Sequence, residues 1–290
     1  MKADDRLQYE ARVGTRYAVL AALAGILLVV AAAIQLSGLH VKVDELTADL
    51  IVAHKRYPLD IIGAFVNACA LLAVAGTLAY LYGAVMARKP ELKSWIRIVT
   101  IVGGILAALS GVIYAFVIAS KANDFVSHGT QTYQEAHQLT QATIVLVMPF
   151  IGQAAALLLA IGFVLTSLNA LRVGLLTRFM GYLGIFAGVL VIFPIGSPVP
   201  VVQGFWLLAL AYLLAGRWPT GVPPAWKSGR AEPWPSSAAM REQRTKAAPA
   251  GGKAGARTKP ARAPAPQPVP ATGARGPRAE TSKRKRKRRK

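Results

Sequence analysis

Long runs of apolar residues, separated by short polar segments, dominate the chain as far as residue 216. Six such runs are found, at 17–36, 59–86, 98–119, 142–168, 179–195 and 201–216. A hydrocarbon core of about 30 Å is crossed by about 17–25 helical residues. The runs are apolar on every side and lack the period-two alternation of barrel strands, so helices are predicted. The expected fold is an all-α polytopic membrane helix bundle with about six transmembrane helices.

The last two runs are the shortest, and Pro194, Pro198 and Pro200 crowd the turn between them. Two interpretations follow for this hairpin. Either the turn dips into the outer leaflet, or the two segments form a short re-entrant pair. The first run is longer than the apolar region of a secretory signal, so an uncleaved span is predicted there, with cleavage near Ala31–Ala33 as the alternative.

Basic residues alternate between the segments that separate the runs. One set of segments holds Arg12 and Arg16, then Arg88 to Arg97, then Arg172 and Arg178, whereas the other set holds few Lys or Arg residues. Cytoplasmic loops carry the excess of Lys and Arg in membrane proteins. The pattern therefore predicts a multi-pass protein whose N- and C-termini are both cytoplasmic.

Composition separates the chain into two materials. Hydrophobic residues make up 54% of the 290 positions and charged residues 16%, yet the net charge is +21. Residues 217–290 hold 20 basic and 3 acidic residues, and residues 1–216 hold 14 basic and 10 acidic. We predict a cytoplasmic N-terminal segment (1–16), a six-span transmembrane domain (17–216) and a cytoplasmic disordered tail rich in Pro, Ala, Lys and Arg (217–290).

The tail ends in eight consecutive basic residues, which mutual repulsion keeps extended. These residues are Lys283, Arg284, Lys285, Arg286, Lys287, Arg288, Arg289 and Lys290. Each contributes up to about 1 kcal/mol of attraction to an anionic leaflet, so anionic lipid is the predicted partner. Nucleic acid is disfavoured because the cluster has no aromatic platform nearby and no fold that reads bases. Further up the tail, Trp218, Trp226 and Trp234 are expected at the headgroup level.

Four polar residues within the runs are candidates for a small outward-opening cavity: Asn67, Ser110, Tyr114 and Gln153. The alternative is that they form interhelical hydrogen bonds within a packed bundle. The runs also carry small residues at every fourth position, most clearly Gly103, Ala107, Gly111, Ala115 and Ala119. Such a ladder allows close helix packing, either within one bundle or between copies of the chain.

Sites for chemistry are sparse. His54 and His137 each precede a run by about five residues and are candidate ligands for a metal or haem at the outer rim, although no metal-binding spacing surrounds them. Solvated or helix-capping histidines are the alternative. The single cysteine, Cys69, has no neighbouring base, and no catalytic or nucleotide-binding motif is present. Neither an enzyme of a recognised class nor a cofactor is predicted.

Residues 169–237 combine an LLTRFMG entry into a short span, a Pro-rich turn and an RWP…PPAW…PWPS exit. This segment, about a quarter of the chain, resembles a type of uncharacterised integral membrane protein of high-GC actinobacteria. The resemblance implies a plasma-membrane location, and it implies no activity or functional residue.

Three functions are consistent with these patterns. The first is a binding, assembly or structural component of the plasma membrane whose polybasic tail engages anionic lipid or a cytoplasmic partner. The second is a small-solute transporter or channel that uses the predicted polar cavity. The third is a metal- or haem-binding protein of the outer face. Other membrane proteins, or further copies of the chain, are possible partners in each case.

Overall fold

The structure, a computed structural model, describes residues 3–37, 46–192, 200–219 and 221–234, and within these ranges it is helical throughout, without strands. The helices are α1 (Ala3–Leu36), α2 (Leu46–Arg56), α3 (Leu59–Arg88), α4 (Trp95–Ser127), α5 (Tyr133–Thr140), α6 (Thr143–Arg172), α7 (Arg178–Ile192), α8 (Val201–Leu214) and α9 (Pro224–Ser228). The predicted all-α membrane helix bundle is confirmed. The turn prolines Pro194 and Pro198 lie outside the described residues.

In the described ranges, four helices are long and apolar enough to cross a membrane, namely α1, α3, α4 and α6. At 1.5 Å per residue, the 15 residues of α7 and the 14 of α8 extend about 21–23 Å, short of a 30 Å hydrocarbon core. Gly188 of α7 packs beside Val164 of α6, and Gly204 of α8 packs beside Gly25 of α1. The short pair therefore lies along only part of its longer neighbours, and the fifth and sixth spans stay predictions.

Six helices pack in a closed circuit in which α1 contacts α3 and α8, α4 contacts α3 and α6, and α7 contacts α6 and α8. The closest approaches occur at small residues. A Cβ added to Gly103 of α4 would lie 2.6 Å from the backbone nitrogen of Leu159 in α6. Gly103, one residue of the small-residue ladder, thus allows α4 and α6 to pack closely within the bundle. Gly111, two turns further along the same face, has no described atom within 4 Å of a Cβ position.

The bundle has two distinct ends. At one end, which we call the α2 end, Leu50 of α2 packs with Ala122 and Phe125 of α4 and with Ala136 of α5. The Glu135 amide donates a hydrogen bond to the Thr132 hydroxyl oxygen and so caps the start of α5, as the Thr-x-x-Glu sequence favours. The opposite end, the α9 end, brings together the start of α1, the α3–α4 and α6–α7 connections and α9. Between the ends, the core is filled by large side chains that include Tyr82, Phe163, Leu207 and Trp206.

Candidate functional site

A buried ion pair occupies the α9 end. Glu10 of α1 and Arg88 at the last turn of α3 are each only 8% exposed. The guanidinium binds the carboxylate through two parallel hydrogen bonds, from Nη1 to Oε1 and from Nη2 to Oε2, both 2.7 Å long. Two donors in a planar fork make this the strongest geometry for such a pair. The pair therefore joins the first and second long helices across 78 positions of sequence.

The remaining donors of Arg88 are directed at backbone carbonyls. Nη1 also donates to the Ala84 carbonyl at 2.9 Å, and Nε and Nη2 donate to the Ala225 carbonyl of α9 at 3.0 and 2.9 Å. The guanidinium lies over the Trp226 ring, 5.0 Å from its centroid, at a distance that gives a cation–π attraction. One buried cation thus holds α1, α3 and α9 together.

Three aromatic rings stack beside this pair. Tyr80 lies 3.9 Å from Tyr17 and 6.4 Å from Trp226, measured between ring centroids. The Tyr80 side chain is buried, and its hydroxyl has no hydrogen-bond partner in the described part of the chain. It lines two cavities, one between α1, α3 and the start of α4 and the other between α1, α3, α8 and α9. Glu10 lines both cavities together with Tyr80, so the rings and the ion pair share the same two spaces.

Residues 221–234, which we call the tail root, are packed on the bundle. The Trp226 indole donates to the Leu175 carbonyl at 2.9 Å, and the Glu232 amide donates to the Val173 carbonyl at 3.1 Å. The chain passes so close to Gly174 (φ +81°) that a Cβ there would clash with the Glu232 carbonyl. Trp226 was expected at the headgroup level, but its ring and its N–H are both engaged by protein. The compact part of the chain therefore continues past residue 216.

Sequence reasoning missed the ion pair because it assigned Glu10 to a polar N-terminal segment and Arg88 to a loop. A signal was nevertheless present. Glu10, Gly14, Ala18 and Ala21 follow a spacing of four, four and three and are all buried on one face of α1. A carboxylate that continues the small-residue face of a spanning helix faces the bundle interior, where a basic side chain on a neighbouring helix is a favourable partner.

The α2 end contains a cavity of about 320 Å³ between α1, α2, α3 and α4. Asn67 of α3 and Tyr114 of α4, two of the predicted cavity residues, lie on its wall. Neither side chain has a hydrogen-bond partner among the described residues. The open face of Gly111 and the small side chains of Ala64 and Ala115 provide the space.

The other two predicted cavity residues lie elsewhere. Ser110 is buried, its hydroxyl donates to the Ala107 carbonyl at 3.1 Å, and a Cβ added to Gly152 of α6 would lie 3.3 Å from that hydroxyl oxygen. Gln153 is exposed on α6 and is not among the residues that line the cavity. Two of the four residues, Asn67 and Tyr114, therefore lie at the cavity wall. The other two belong to the α4–α6 pair, where Ser110 is buried and Gln153 is exposed.

An ion pair marks the rim of the cavity. Arg56 donates from Nε to Asp60 Oδ1 at 2.7 Å and from Nη2 to the Ile34 carbonyl at 3.0 Å, so it ties the end of α1 to the start of α3. Asp60 lines the cavity, and its side chain is 42% exposed. Tyr57 and Gln35 complete the polar part of the wall. Solvent reaches this pair, in contrast to the pair at the α9 end.

The histidines are spread over the α2 end. His54 lies in the last turn of α2, His128 caps α4, and His137 lies in α5 next to the ring of Tyr133. No group of three or more His, Cys, Asp or Glu side chains is arranged for a metal ion in the described ranges. Glu135, a possible further ligand, instead accepts bonds from Thr130 and the Gln131 amide. His40 and the basic cluster at 283–290 lie outside the described residues.

Comparisons with known proteins found no relative of this chain. The chain matches no protein-family model, no curated protein and no solved structure. The resemblance of residues 169–237 therefore adds no family to the argument, and the function is inferred from the geometry of the two ends.

Proposed function

We propose that the chain is a multi-pass plasma-membrane protein with a binding, assembly or structural role, which fixes the start of its basic tail at the cytoplasmic surface. The observation that carries this proposal is the docked tail root. Arg88, Leu175 and Val173 hold its backbone and its tryptophan by direct hydrogen bonds. A tail that only trailed from the last helix would need no such contacts.

The distribution of basic residues supports a cytoplasmic α9 end. Those at or near this end are Arg12, Arg16, Arg88, Lys89, Lys93, Arg97, Arg172, Arg178, Arg217, Lys227 and Arg230. Those near the α2 end are Lys55, Arg56 and Lys121. Under the positive-inside rule this asymmetry favours an arrangement with both termini in the cytoplasm.

The charge of the tail supports anionic lipid as its partner. Beyond the tail root, residues 235–290 carry 17 basic and 2 acidic residues, and the final eight are all basic. Binding by such a segment is electrostatic and weakens with salt. The docked root tethers the segment to a membrane protein, and such tethering raises the effective concentration of a basic segment toward lipid.

The test is a flotation assay on the full-length protein in nanodiscs of zwitterionic lipid, mixed with vesicles that contain 30% phosphatidylserine. We expect the protein to float with the vesicles at low salt and to be released by 0.5 M salt. A variant that replaces 283–290 with Gly and Ser residues of equal number should lose most of the binding. Binding that survives this replacement would refute lipid anchoring, and tighter binding to RNA than to the vesicles would favour a nucleic-acid partner.

A second candidate, transport of a small solute, is favoured by the cavity beside Asn67 and Tyr114. A transporter must expose such a site to both faces in turn. Toward the α9 end the core is filled by Leu78, Leu81 and Tyr82 of α3, so transport requires these to move. Uptake of a solute into proteoliposomes by the wild type and not by Gly111→Leu, which fills the cavity, would support transport.

A further inference from the structure

The cavity at the α2 end has the size and wall of a small-molecule site. Its volume of about 320 Å³ lies at the lower end of the range for ligand pockets, about 300–1,000 Å³. Small residues on α3 and α4 form the floor, and Ile34, Ile61 and Ile118 supply apolar surface. A few polar groups on a mostly apolar wall are the usual composition of such a pocket.

The polar groups of the wall are available to a ligand. Asn67 presents an amide and Tyr114 a hydroxyl, and neither is used by another described side chain or carbonyl. Asp60 uses Oδ1 for Arg56, whereas Oδ2 has no hydrogen bond to the described part of the chain. The site therefore offers one carboxylate oxygen, one amide and one phenol.

Arg56 balances the charge of Asp60, so the preference for a cation rests on which groups face the cavity. Among the described residues that line the cavity, Asp60 is the one with a charge, and Arg56 is directed to Asp60 and to the Ile34 carbonyl. The carboxyl ends of α1 and α2, at Leu36 and Arg56, lie beside the cavity with the negative ends of their helix dipoles, and the amino end of α3, at Leu59, lies there with one positive end. The rings of Tyr57 and Tyr114 lie on the same wall and attract cations at their faces.

We propose that this cavity binds a small amphipathic organic ammonium ion, with its charged group at Asp60 and its apolar body against the wall of α3 and α4. This inference goes beyond the anchoring function and is independent of it, because the cavity and the tail root lie at opposite ends of the bundle. It holds whether or not the bound ion is carried across the membrane. Asn67 and Tyr114 are the groups that orient the ligand.

Three probes of nearly equal size test the charge preference: benzylammonium, benzyl alcohol and benzoate. Binding to the full-length protein in detergent is followed by saturation-transfer NMR and by calorimetry. We expect benzylammonium to bind about tenfold more tightly than benzyl alcohol, since a hydrogen bond to a charged group is stronger than a neutral one. Benzoate should not bind, because the carboxylate repels it.

Two leucine substitutions locate the site. Gly111→Leu places a side chain in the cavity and should abolish benzylammonium binding. Gly83→Leu is the matched control, because Gly83 also has no described atom within 4 Å of a Cβ position but lies in the cavity at the other end of α3. It should leave binding unchanged. Asp60→Asn should remove the preference for the ammonium ion over the alcohol while leaving the cavity open.

The outcomes distinguish the ligand classes. Equal binding of benzylammonium and benzyl alcohol to the wild type would overturn the proposal in favour of a neutral apolar ligand, such as a lipid chain. Binding that persists in Gly111→Leu would show that the ligand binds elsewhere. If none of the three probes binds, the proposal that this cavity is a ligand site is refuted. None of these results depends on residues 283–290, so a failure here is separate from a failure of lipid anchoring.

Discussion

Replacement of Glu10 by Gln should destabilise the bundle and release the tail root. The substitution keeps the shape of the side chain and removes its charge, so the Arg88 guanidinium remains buried without a counter-ion. Gln also turns an N–H donor toward the donors of Arg88, where the carboxylate had accepted two bonds of 2.7 Å. The carbonyls of Ala84 and Ala225 still accept from Arg88, but they supply no compensating charge.

The expected magnitude follows from the burial of the pair. Counted over side-chain atoms alone, Arg88 is 0% exposed and Glu10 is 8% exposed, so solvent screens the interaction little. Loss of one partner from a buried ion pair costs about 3–5 kcal/mol of folding free energy. For a domain of this size, 1 kcal/mol shifts the melting temperature by about 2–4 °C, so a decrease of about 6–20 °C is expected.

The assay is thermal unfolding in mild detergent, followed by tryptophan fluorescence, together with timed trypsin digestion. Cleavage after Lys227 and Arg230 should be faster in Glu10→Gln, because an Arg88 side chain without its counter-ion holds the Ala225 carbonyl of α9 in place less firmly. Asp60→Asn is the matched control. It makes the same chemical change in an ion pair with a 42% exposed carboxylate, where we expect less than about 1 kcal/mol. Equal shifts in the two variants would refute the structural role of the buried pair.

Two further pairs of variants test the packing. Gly174→Ala and Gly216→Ala both place alanine at a positive φ, +81° and +72°, but only the alanine at 174 would clash with the Glu232 carbonyl. Trypsin should therefore cleave after Arg230 faster in Gly174→Ala than in Gly216→Ala. Equal cleavage rates in the two variants would contradict the docked tail root. On the ladder of α4, Gly103→Ala should lower the melting temperature by several degrees, since its Cβ meets α6 backbone at 2.6 Å. Gly111→Ala should leave the melting temperature unchanged or raise it slightly, because the space is open and alanine favours the helix over glycine by about 1 kcal/mol. A decrease in melting temperature as large as that of Gly103→Ala would argue against the cavity.

Helix content and approximate boundaries were predictable from hydropathy alone. The runs at 59–86 and 142–168 correspond closely to α3 and α6, because a segment that is apolar on all sides has few alternatives to a helix in a membrane. The start of α1 was less predictable. The first turns of α1, from Ala3, are polar in sequence, and hydropathy alone did not predict a helix there. In the structure these turns are helical, and Glu10 within them pairs with Arg88 of α3.

The candidate sites were predictable only in part. Asn67 and Tyr114 were identified because polar residues are rare inside spanning helices, and the structure places both at one cavity. Ser110 carried the same signal but turns toward α6, and its hydroxyl is used by its own helix. The rotation of a helix about its axis decides between these outcomes, and a helix that is apolar all round gives little sign of that rotation.

The sequence by itself determined that a weakly charged apolar body is joined to a strongly basic tail, since hydrophobicity and charge are properties of each segment alone. Only the tertiary structure decided which contacts join the segments. Arg88 meets Glu10 and also Ala225, 137 positions away, and Gly103 is packed while Gly111 borders a cavity. Those differences arise from the placement of other helices against the same face, which no local pattern records.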